Sequence, residues 1–288
     1  LPCLWHFSRW LFIILLSISI IFISGSKTDY VSNFIYKSLN RITETNNKIP
    51  SISEDGTFFY TIEHNISSLR YIENIPLLYL TGTEYQKGYS YGVLLRDKIK
   101  ETIAEHRNVV RNGIKELPWY MRLFAPGVID SRLRLMIKNT PDYMKEMITG
   151  LADGCGGVSY KEIFLLSLYD VYSECTSIAF WDNQRYLHIK NLDLGFHKNE
   201  LPILITIEEL DNNKKAMYIC ESGYGAIVAT NGINSDGISI TGNSMPAIKK
   251  NKNYKENSID AVYRKRVLVE CSNTSDVKQL FSINLFLN

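Results

Sequence analysis

The sequence lacks most of the patterns that mark metal, cofactor or nucleic-acid chemistry. It contains no Cys-x-x-Cys pair and its five histidines are scattered, so no metal-ligand cluster is indicated. It also lacks a glycine-rich phosphate loop, a dinucleotide-binding fingerprint and any internal repeat. The 32 basic and 30 acidic residues leave a formal net charge of only +2, which gives no reason to expect a nucleic-acid partner. We therefore expect neither a cofactor nor a metal.

Long apolar runs are also scarce, and the one near the beginning of the chain is short. Leu11 to Ile23 is apolar except for two serines, whereas a membrane-spanning helix needs about 20 residues. Small residues follow at 24–26, as in a signal-peptidase site, so residues 1–26 are interpreted as a signal peptide. An uncleaved signal anchor, with membrane association through residues 10–24, and a buried helix are the alternatives.

Export is the consequence of the signal interpretation. The product would be secreted, lumenal or membrane-anchored facing outside, and deletion of residues 1–26 would leave it in the cytosol. In a eukaryotic host, the sequons at Asn65 and Asn273 would then be usable for glycosylation.

Composition and hydrophobic pattern divide the remaining residues into three segments. With 288 residues, 45% of them hydrophobic, the chain can form one large or two small domains. Residues 27–75 are interpreted as a polar linker with one strand at 58–62, and residues 76–174 as a mostly helical segment after a strand at 76–80. Residues 175–288 change to short strands and then helices, which predicts an α+β fold. The predicted helices are 84–110, 133–151, 160–172, 261–272 and 274–283, and the predicted later strands are 175–182, 186–194, 202–209, 215–221, 225–230 and 236–242. A capping box of Ser159 and Glu162 would begin the third helix, and Ser275 or Asp276 would open the last. Glycines four residues apart, as in the first helix, indicate close packing against a neighbour.

Candidate chemistry centres on Cys175. The residues that follow it favour a strand, the polar residues 182–185 favour a turn, and residues 186–194 alternate as a returning strand. The hairpin would bring Cys175 near Asp193, at the far end of the return. Taken alone, Cys175 is more simply explained as a small buried hydrophobe, and Asp193 as a turn or strand-end aspartate.

Six short motifs in a fixed order carry a family resemblance over residues 75–283. They resemble the N-terminal nucleophile (Ntn) hydrolases, in the branch that contains acyl-coenzyme A:6-aminopenicillanic-acid acyltransferase. Acid ceramidase, N-acylethanolamine acid amidase and bile-salt hydrolase are more distant relatives. The motifs are Gly82-Thr-Glu-Tyr-Gln-Lys-Gly, Gly150-Leu-Ala-Asp-Gly-Cys-Gly-Gly-Val-Ser-Tyr, Cys175-Thr-Ser-Ile, Asn191-Leu-Asp, Asn231-Gly-Ile-Asn-Ser-Asp-Gly-Ile and Gly242-Asn.

The resemblance implies a four-layer αββα sandwich and an autoprocessing amidohydrolase or acyltransferase. Cys175 would be the nucleophile, Asp193 would orient its α-amine, and Asn243 would donate to the oxyanion, although a turn asparagine is the simpler explanation of Asn243. The α-amine can itself act as the base because its pKa of about 7.7 to 8.0 lies near working pH. Cleavage between Glu174 and Cys175 would yield an α/β heterodimer of residues 76–174 and 175–288.

Two departures from the family pattern limit what is carried over. Glu174 stands where the penicillin-biosynthetic member has glycine, so a side chain there would slow cleavage. Lys190, a candidate substrate-binding residue with Asn191, stands where bile-salt hydrolases and ceramidases have arginine. Lysine keeps the charge but loses the planar bidentate fork. Asn191 is alternatively a residue that shapes the strand end.

Other interpretations remain at this point. Cys155, flanked by glycines, is a rival nucleophile if it is exposed, and two of Cys155, Cys220 and Cys271 would pair in an exported protein. His188 and His197 are interpreted as ordinary polar residues. The substrate would be a small linear amide or acyl compound, including fatty-acyl amides. The alternatives are a lipid amidase or phospholipase-like ester hydrolase, and an inactive membrane-anchored binding module.

The relatives continue with further strands beyond the position of Ile283. We therefore expect this chain to be truncated at its C-terminal part, with an unpaired sheet edge that favours aggregation.

Overall fold

A mixed sheet organises the part of the chain that the computed structural model describes, residues 50–168, 174–181, 186–193, 203–220, 223–242 and 260–286. All of these residues fall in one compact unit, Pro50–Asn288. The predicted signal at 1–26 lies outside the described residues. Within them, every helix is too short or too polar to cross a bilayer.

Eight strands form the main sheet in the order β1-β2-β3-β4-β7-β8-β9-β10. Every neighbouring pair is antiparallel except β4 and β7, which are parallel and place Leu77 opposite Ile205. Strands β5 and β6 form a separate hairpin. The strands are β1 (Ser51–Ile52), β2 (Phe58–Ile62), β3 (Asn65–Ile72), β4 (Ile75–Leu80), β5 (Glu174–Trp181), β6 (Tyr186–Asp193), β7 (Leu204–Glu209), β8 (Lys215–Cys220), β9 (Asn231–Asn234) and β10 (Ser239–Thr241).

The helices account for most of the segment between β4 and β5, and two more follow β10. They are α1 (Glu84–Leu94), α2 (Arg96–Glu116), α3 (Trp119–Asn139), α4 (Asp142–Cys155), α5 (Tyr160–Leu168), α6 (Asp260–Glu270) and α7 (Thr274–Phe286). The coarse α+β prediction is therefore confirmed.

The strand predicted at 58–62 is present as β2, with the same bounds. The linker prediction is wrong for the rest of residues 50–75, which also form β1 and β3; residues 27–49 lie outside the described part. The alternation of apolar and polar residues that indicates a strand is absent there, because polar residues occupy part of the buried face. Ser67 is fully buried, and its hydroxyl accepts a hydrogen bond from the Thr81 backbone N–H at 3.2 Å. Beside it on β3, Leu69 is only 3% exposed. A serine whose hydroxyl is hydrogen-bonded can occupy a core position where the strand pattern predicts an apolar residue.

Helix boundaries differ from the sequence predictions at prolines and at residue 95. The predicted helix 84–110 is two helices that meet at Leu95, and Pro141 separates α3 from α4 within the predicted helix 133–151. Helix α3 begins 14 residues earlier than predicted. The Ser159–Glu162 capping box is present: the Ser159 N–H donates to Glu162 Oε2 at 3.0 Å and the Glu162 N–H to Ser159 Oγ at 3.4 Å.

Two further predictions need correction. Residues 225–230 are not a strand, although all six are buried in a turn-rich segment beside the helices. Helix α7 is capped by Asn273 and not by Ser275 or Asp276. The Asn273 Oδ1 accepts from the backbone N–H groups of both of those residues, at 2.9 and 3.1 Å.

Helices α1 and α4 pack with their backbones in contact. A Cβ built on Gly88 or Gly92 would overlap the α4 backbone, and one on Gly150 or Gly154 would overlap the α1 backbone. The contacts advance in the same direction along both helices, so the pair is parallel. The two Gly-x-x-x-Gly patterns therefore serve close packing, as expected for glycines four residues apart.

These helices cover one face of the main sheet and form the core with it. Leu78 and Leu80 of β4, Tyr91 of α1, and Ile148 and Leu151 of α4 are at most 1% exposed and belong to one apolar cluster. The opposite face of the sheet therefore remains available to the β5–β6 hairpin.

A buried ion pair links the sheet to α6 on the helical side. Lys265 Nζ lies 2.5 Å from Glu208 Oε1, and the two side chains are 0% and 1% exposed. The Tyr218 hydroxyl donates to the same oxygen, and Lys265 Nζ lies 4.0 Å from the centre of the Tyr218 ring. Glu208 Oε2 has no hydrogen-bond partner.

The pKa values of Glu208 and Lys265 are both lowered, for different reasons. Burial raises the pKa of Glu208, but Lys265 and Lys87 more than offset it, so the pKa lies below its ordinary value. Burial also lowers the pKa of Lys265, against the attraction of Glu208. With an anion at ion-pair distance, we treat both groups as charged.

Candidate active site

The hairpin predicted around Cys175 is present. Strands β5 and β6 pair antiparallel from Glu174 opposite Asp193 to Trp181 opposite Tyr186. Cys175 pairs with Leu192, so its backbone and that of Asp193 stand one register position apart at the same end of the hairpin. The strand bounds agree with the prediction within one residue. The turn at 182–185 lies outside the described residues.

The other candidates on the hairpin occupy neighbouring register positions. Asn191 pairs with Thr176, and Lys190 pairs with Ser177. Cross-strand partners share a face, so half-buried Lys190 lies on the hairpin face that carries Ser177. The hairpin thus gathers five of the six candidate residues by backbone position, whereas Asn243 lies outside the described residues.

Hydrogen bonds connect this face of the hairpin to β10 of the main sheet. Thr241 Oγ1 donates to Ser177 Oγ at 3.1 Å. His188 bridges two β10 hydroxyls, with Nδ1 2.9 Å from Ser239 Oγ and Nε2 3.1 Å from Thr241 Oγ1. Each ring nitrogen donates or accepts according to the tautomer, and a hydroxyl partner suits either role. His188 is therefore occupied in joining two layers, while His197 lies outside the described residues.

Asn243 directly follows Gly242, whose surroundings are described. The Gly242 N–H donates to Thr230 O at 3.0 Å. A Cβ on Gly242 would lie 2.5 Å from Cζ of Arg264, so the guanidinium passes over the glycine backbone. Arg264 is 3% exposed, and its Nε donates to Ala229 O at 2.8 Å.

Sequence reasoning missed Arg264. The only signal was a cation within the apolar pattern of the predicted helix 261–272. Its consequence is a buried positive charge next to the residue that precedes Asn243.

Cys155 is poorly suited to be a nucleophile. It is 0% exposed, and its thiol donates to Arg96 O at 3.7 Å. Burial raises its pKa, which reduces the thiolate fraction at neutral pH. The neighbouring glycines serve packing and the helix end: Gly154 meets the α1 backbone, and Gly156 has φ of +63°. The exposure that the rival assignment required is therefore not observed.

The predicted disulfide is absent among the three described cysteines. Cys155, Cys220 and Cys271 are each buried, and none of them carries a disulfide.

The Asn231–Ile238 motif has a structural role. Asn234 Nδ2 donates to Leu268 O at 3.2 Å and to Cys271 O at 2.7 Å, at the end of α6. Its Oδ1 accepts from the backbone N–H groups of Asp236 and Ile238 at 3.2 and 3.0 Å. One side chain thus ties the β9–β10 turn to α6. Within the described residues, no group of histidine, cysteine or carboxylate side chains is arranged to hold a metal ion.

Comparison with known proteins gives one distant similarity. No family model matches the chain. A curated protein of Dictyostelium discoideum, dcd1A, is 27% identical over 141 residues, which cover 42% of this chain and 32% of dcd1A. The aligned part is therefore less than half of either protein.

Proposed function

We propose that this chain is an autoprocessing cysteine Ntn amidohydrolase or acyltransferase that acts on linear amides, including fatty-acyl amides. The observation that carries the proposal is the hairpin register. It holds the backbones of Cys175 and Asp193 one position apart at one hairpin end. The α-amine that Asp193 would orient is part of the Cys175 backbone, so the proposal requires these two backbones to be held near each other on a rigid element.

The first proposed reaction is cleavage of the Glu174–Cys175 bond. The Cys175 thiol attacks the Glu174 carbonyl, the C–N bond breaks, and the nitrogen takes the thiol proton to become the free α-amine. The resulting thioester is hydrolysed by water, which leaves a carboxylate on Glu174 and restores the thiol. No oxidant, metal or cofactor takes part in these steps.

The second proposed reaction is turnover of an external amide. The new α-amine takes the thiol proton, and the thiolate attacks the substrate carbonyl. The protonated amine then returns its proton to the leaving amine as the tetrahedral intermediate collapses. Asp193 orients the α-amine, and Asn243 donates to the oxyanion. The acyl thioester is released by water or by an acceptor amine.

The described layers support a four-layer αββα architecture. Helices cover one face of the main sheet, and the hairpin contacts the other face through His188 and Thr241. The hairpin's own outer face is apolar and exposed, as a face that receives a further layer would be. Its residues are Ile178 (56%), Phe180 (47%), Leu187 (43%) and Ile189 (51%).

Lys190 and Arg264 are two cations of the described part that lie beside candidate residues. Lys190 pairs with Ser177 in β5, and Arg264 lies over Gly242. A lysine lacks the bidentate fork of arginine. We therefore propose Lys190 as a point contact for a polar group of the substrate, and Asn191 as a residue that shapes the strand end. Arg264 positions the backbone that leads to Asn243.

Intact-mass measurement of the purified chain tests the proposal. The wild type should yield a fragment that begins at Cys175, and Cys175→Ala should yield only the uncut chain without activity. Cys155→Ala is the matched control, because it removes a thiol that is buried away from the hairpin, and it should retain cleavage. Asp193→Asn should lower kcat with little change in thermal stability.

Substrate class is tested by a panel of N-acyl amino acids, N-acylethanolamines and ceramides. Hydrolysis of any of these by Cys175→Ala at the wild-type rate would refute the nucleophile assignment. An uncut wild-type chain that is inactive on the whole panel would instead favour a binding protein.

A further inference from the structure

The first turns of α3 project from the body of the protein. Between residues 119 and 128, every residue except Ala125 is exposed. Trp119, Leu123 and Phe124 are 73%, 72% and 64% exposed, the highest values among the large hydrophobic side chains of the described part. We call the exposed group here the apolar tip: Trp119, Tyr120, Met121, Leu123, Phe124 and Val128.

The fold holds α3 only by its other end. The only fully buried side chain of α3 is that of Leu133. Asp130 forms exposed ion pairs with Arg134 in the same helix and with Lys161 of α5, so this contact between α3 and α5 lies in the second half of α3. Pro126 lies between the two halves and cannot donate to a carbonyl of the preceding turn. Among the residues that the structure describes, the apolar tip therefore lies in the part of α3 that is not packed against the fold.

The surroundings of the apolar tip are strongly basic. From residue 107 to residue 138 the chain has seven Lys or Arg residues and only two acidic ones, Glu116 and Asp130. Asp130 is already neutralised by its two cations. The exposed cations that flank the apolar tip in the sequence are Arg111, Lys115, Arg122 and Arg132.

We propose that the apolar tip inserts into the interface of an anionic lipid surface, with the flanking cations against the lipid phosphates. Trp, Phe and Leu beside Lys and Arg are the side chains that interfacial helices place at the headgroup level. The apolar tip is exposed on all sides of the helix, which favours a lipid interface as its partner. A protein groove would instead contact one apolar face of a helix. The helix is not apolar enough to span a bilayer, so it lies in one leaflet.

This inference is independent of the proposed catalytic function, because it uses no residue of the hairpin. A protein that failed to cleave itself would bind lipid in the same way. Conversely, loss of lipid binding would leave cleavage at Cys175 unchanged.

Co-sedimentation with phosphatidylcholine vesicles, with and without phosphatidylserine, tests the proposal on the full chain. Trp119→Ser/Leu123→Ser/Phe124→Ser should weaken binding by roughly tenfold or more, because three apolar side chains no longer leave water. Lys115→Gln/Arg122→Gln should weaken binding to the anionic vesicles by roughly fivefold for each charge and leave binding to neutral vesicles unchanged.

The matched control makes the same chemical change at other exposed sites. Ile52→Ser/Ile66→Ser alters strands β1 and β3, where these side chains are 63% and 53% exposed, and should bind vesicles like the wild type. The thermal midpoint of every variant should stay near that of the wild type, because all the changed side chains are exposed. A loss of binding by the tip variant alone is then not a folding defect.

Quenching by brominated lipid reads the apolar tip directly. Brominated lipid should quench tryptophan fluorescence more in the wild type than in Trp119→Phe. The difference is the quenching of Trp119, and it would place this side chain at the acyl boundary. A vesicle-bound protein with no Trp119-specific quenching would overturn the proposal, because another segment would then carry the binding. Equal binding by the triple serine variant would overturn it too. If the wild type self-associates without binding vesicles and the triple variant is monomeric, the apolar tip is a protein interface instead.

Discussion

Replacement of Lys265 by methionine is the sharpest test of the fold. The change keeps the length of the side chain but leaves Glu208, which is 1% exposed, without its ion-pair partner. Removal of one member of a buried ion pair costs about 3 to 5 kcal/mol, because the other charge stays buried and uncompensated. In a unit of this size, such a loss lowers the Tm by roughly 6 to 20 °C. Loss of the cation over the Tyr218 ring adds to the cost.

A double-mutant cycle isolates the pair. Glu208→Gln/Lys265→Met removes both charges, so it should be more stable than Lys265→Met by about 2 kcal/mol or more. Lys98→Met is the matched control, because Lys98 and Glu101 form an exposed pair with 52% and 63% of their side chains accessible. It should change stability by less than about 1 kcal/mol.

Urea unfolding at several pH values supplies the measurement. The pKa of folded Glu208 lies below its ordinary value, so its stabilising contribution is present above the ordinary pKa and lost as the pH falls through the folded value. The difference between the wild type and Lys265→Met should therefore narrow below about pH 4. If Lys265→Met were no more destabilising than Lys98→Met at neutral pH, the buried-pair reasoning would be refuted.

Three further changes test the packing and the clamps. Gly88→Ala should destabilise by about 2 kcal/mol or more in thermal unfolding, because the new Cβ meets the α4 backbone; Gly113→Ala, where nothing lies within 4 Å, should stabilise by up to about 1 kcal/mol. Asn234→Ala should cost about 2 to 4 kcal/mol in urea unfolding, because buried backbone groups lose their partners, and a neutral result would contradict the clamp. His188→Ala should raise the rate of proteolysis in the hairpin while thermal unfolding of the remainder changes little; equal cleavage rates would show that the ring does not hold the layers together.

Local signals predicted the parts of the fold that depend on neighbouring residues. Ser159 and Glu162 indicated a helix start, and the polar turn at 182–185 indicated the hairpin. Both depend on chemistry within a few residues of the chain. The backbone half of the candidate site, Cys175 near Asp193, was predictable for the same reason.

The sequence did not predict which buried polar groups pair with residues far along the chain. In β7 the sequence alternates so that Ile205 and Ile207 look like the core face, yet Thr206 and Glu208 are the buried residues. Glu208 is tolerated there because Lys265, far along the chain, meets it. Arg264 beside Gly242 is a similar case. No local pattern indicates such a partner.

The parallel pairing of β4 with β7 determines what a cut in the chain can do. The covalent link between these strands is the long connection from β4 to β7. The strands themselves are held together by hydrogen bonds, from Leu77 opposite Ile205 to Leu80 opposite Glu208. A nick anywhere in the connection therefore changes covalent continuity without opening the sheet. The two pieces would co-purify under native conditions and separate only in denaturant. Either piece alone would present an open strand edge in the middle of the former sheet, which is the arrangement that invites aggregation.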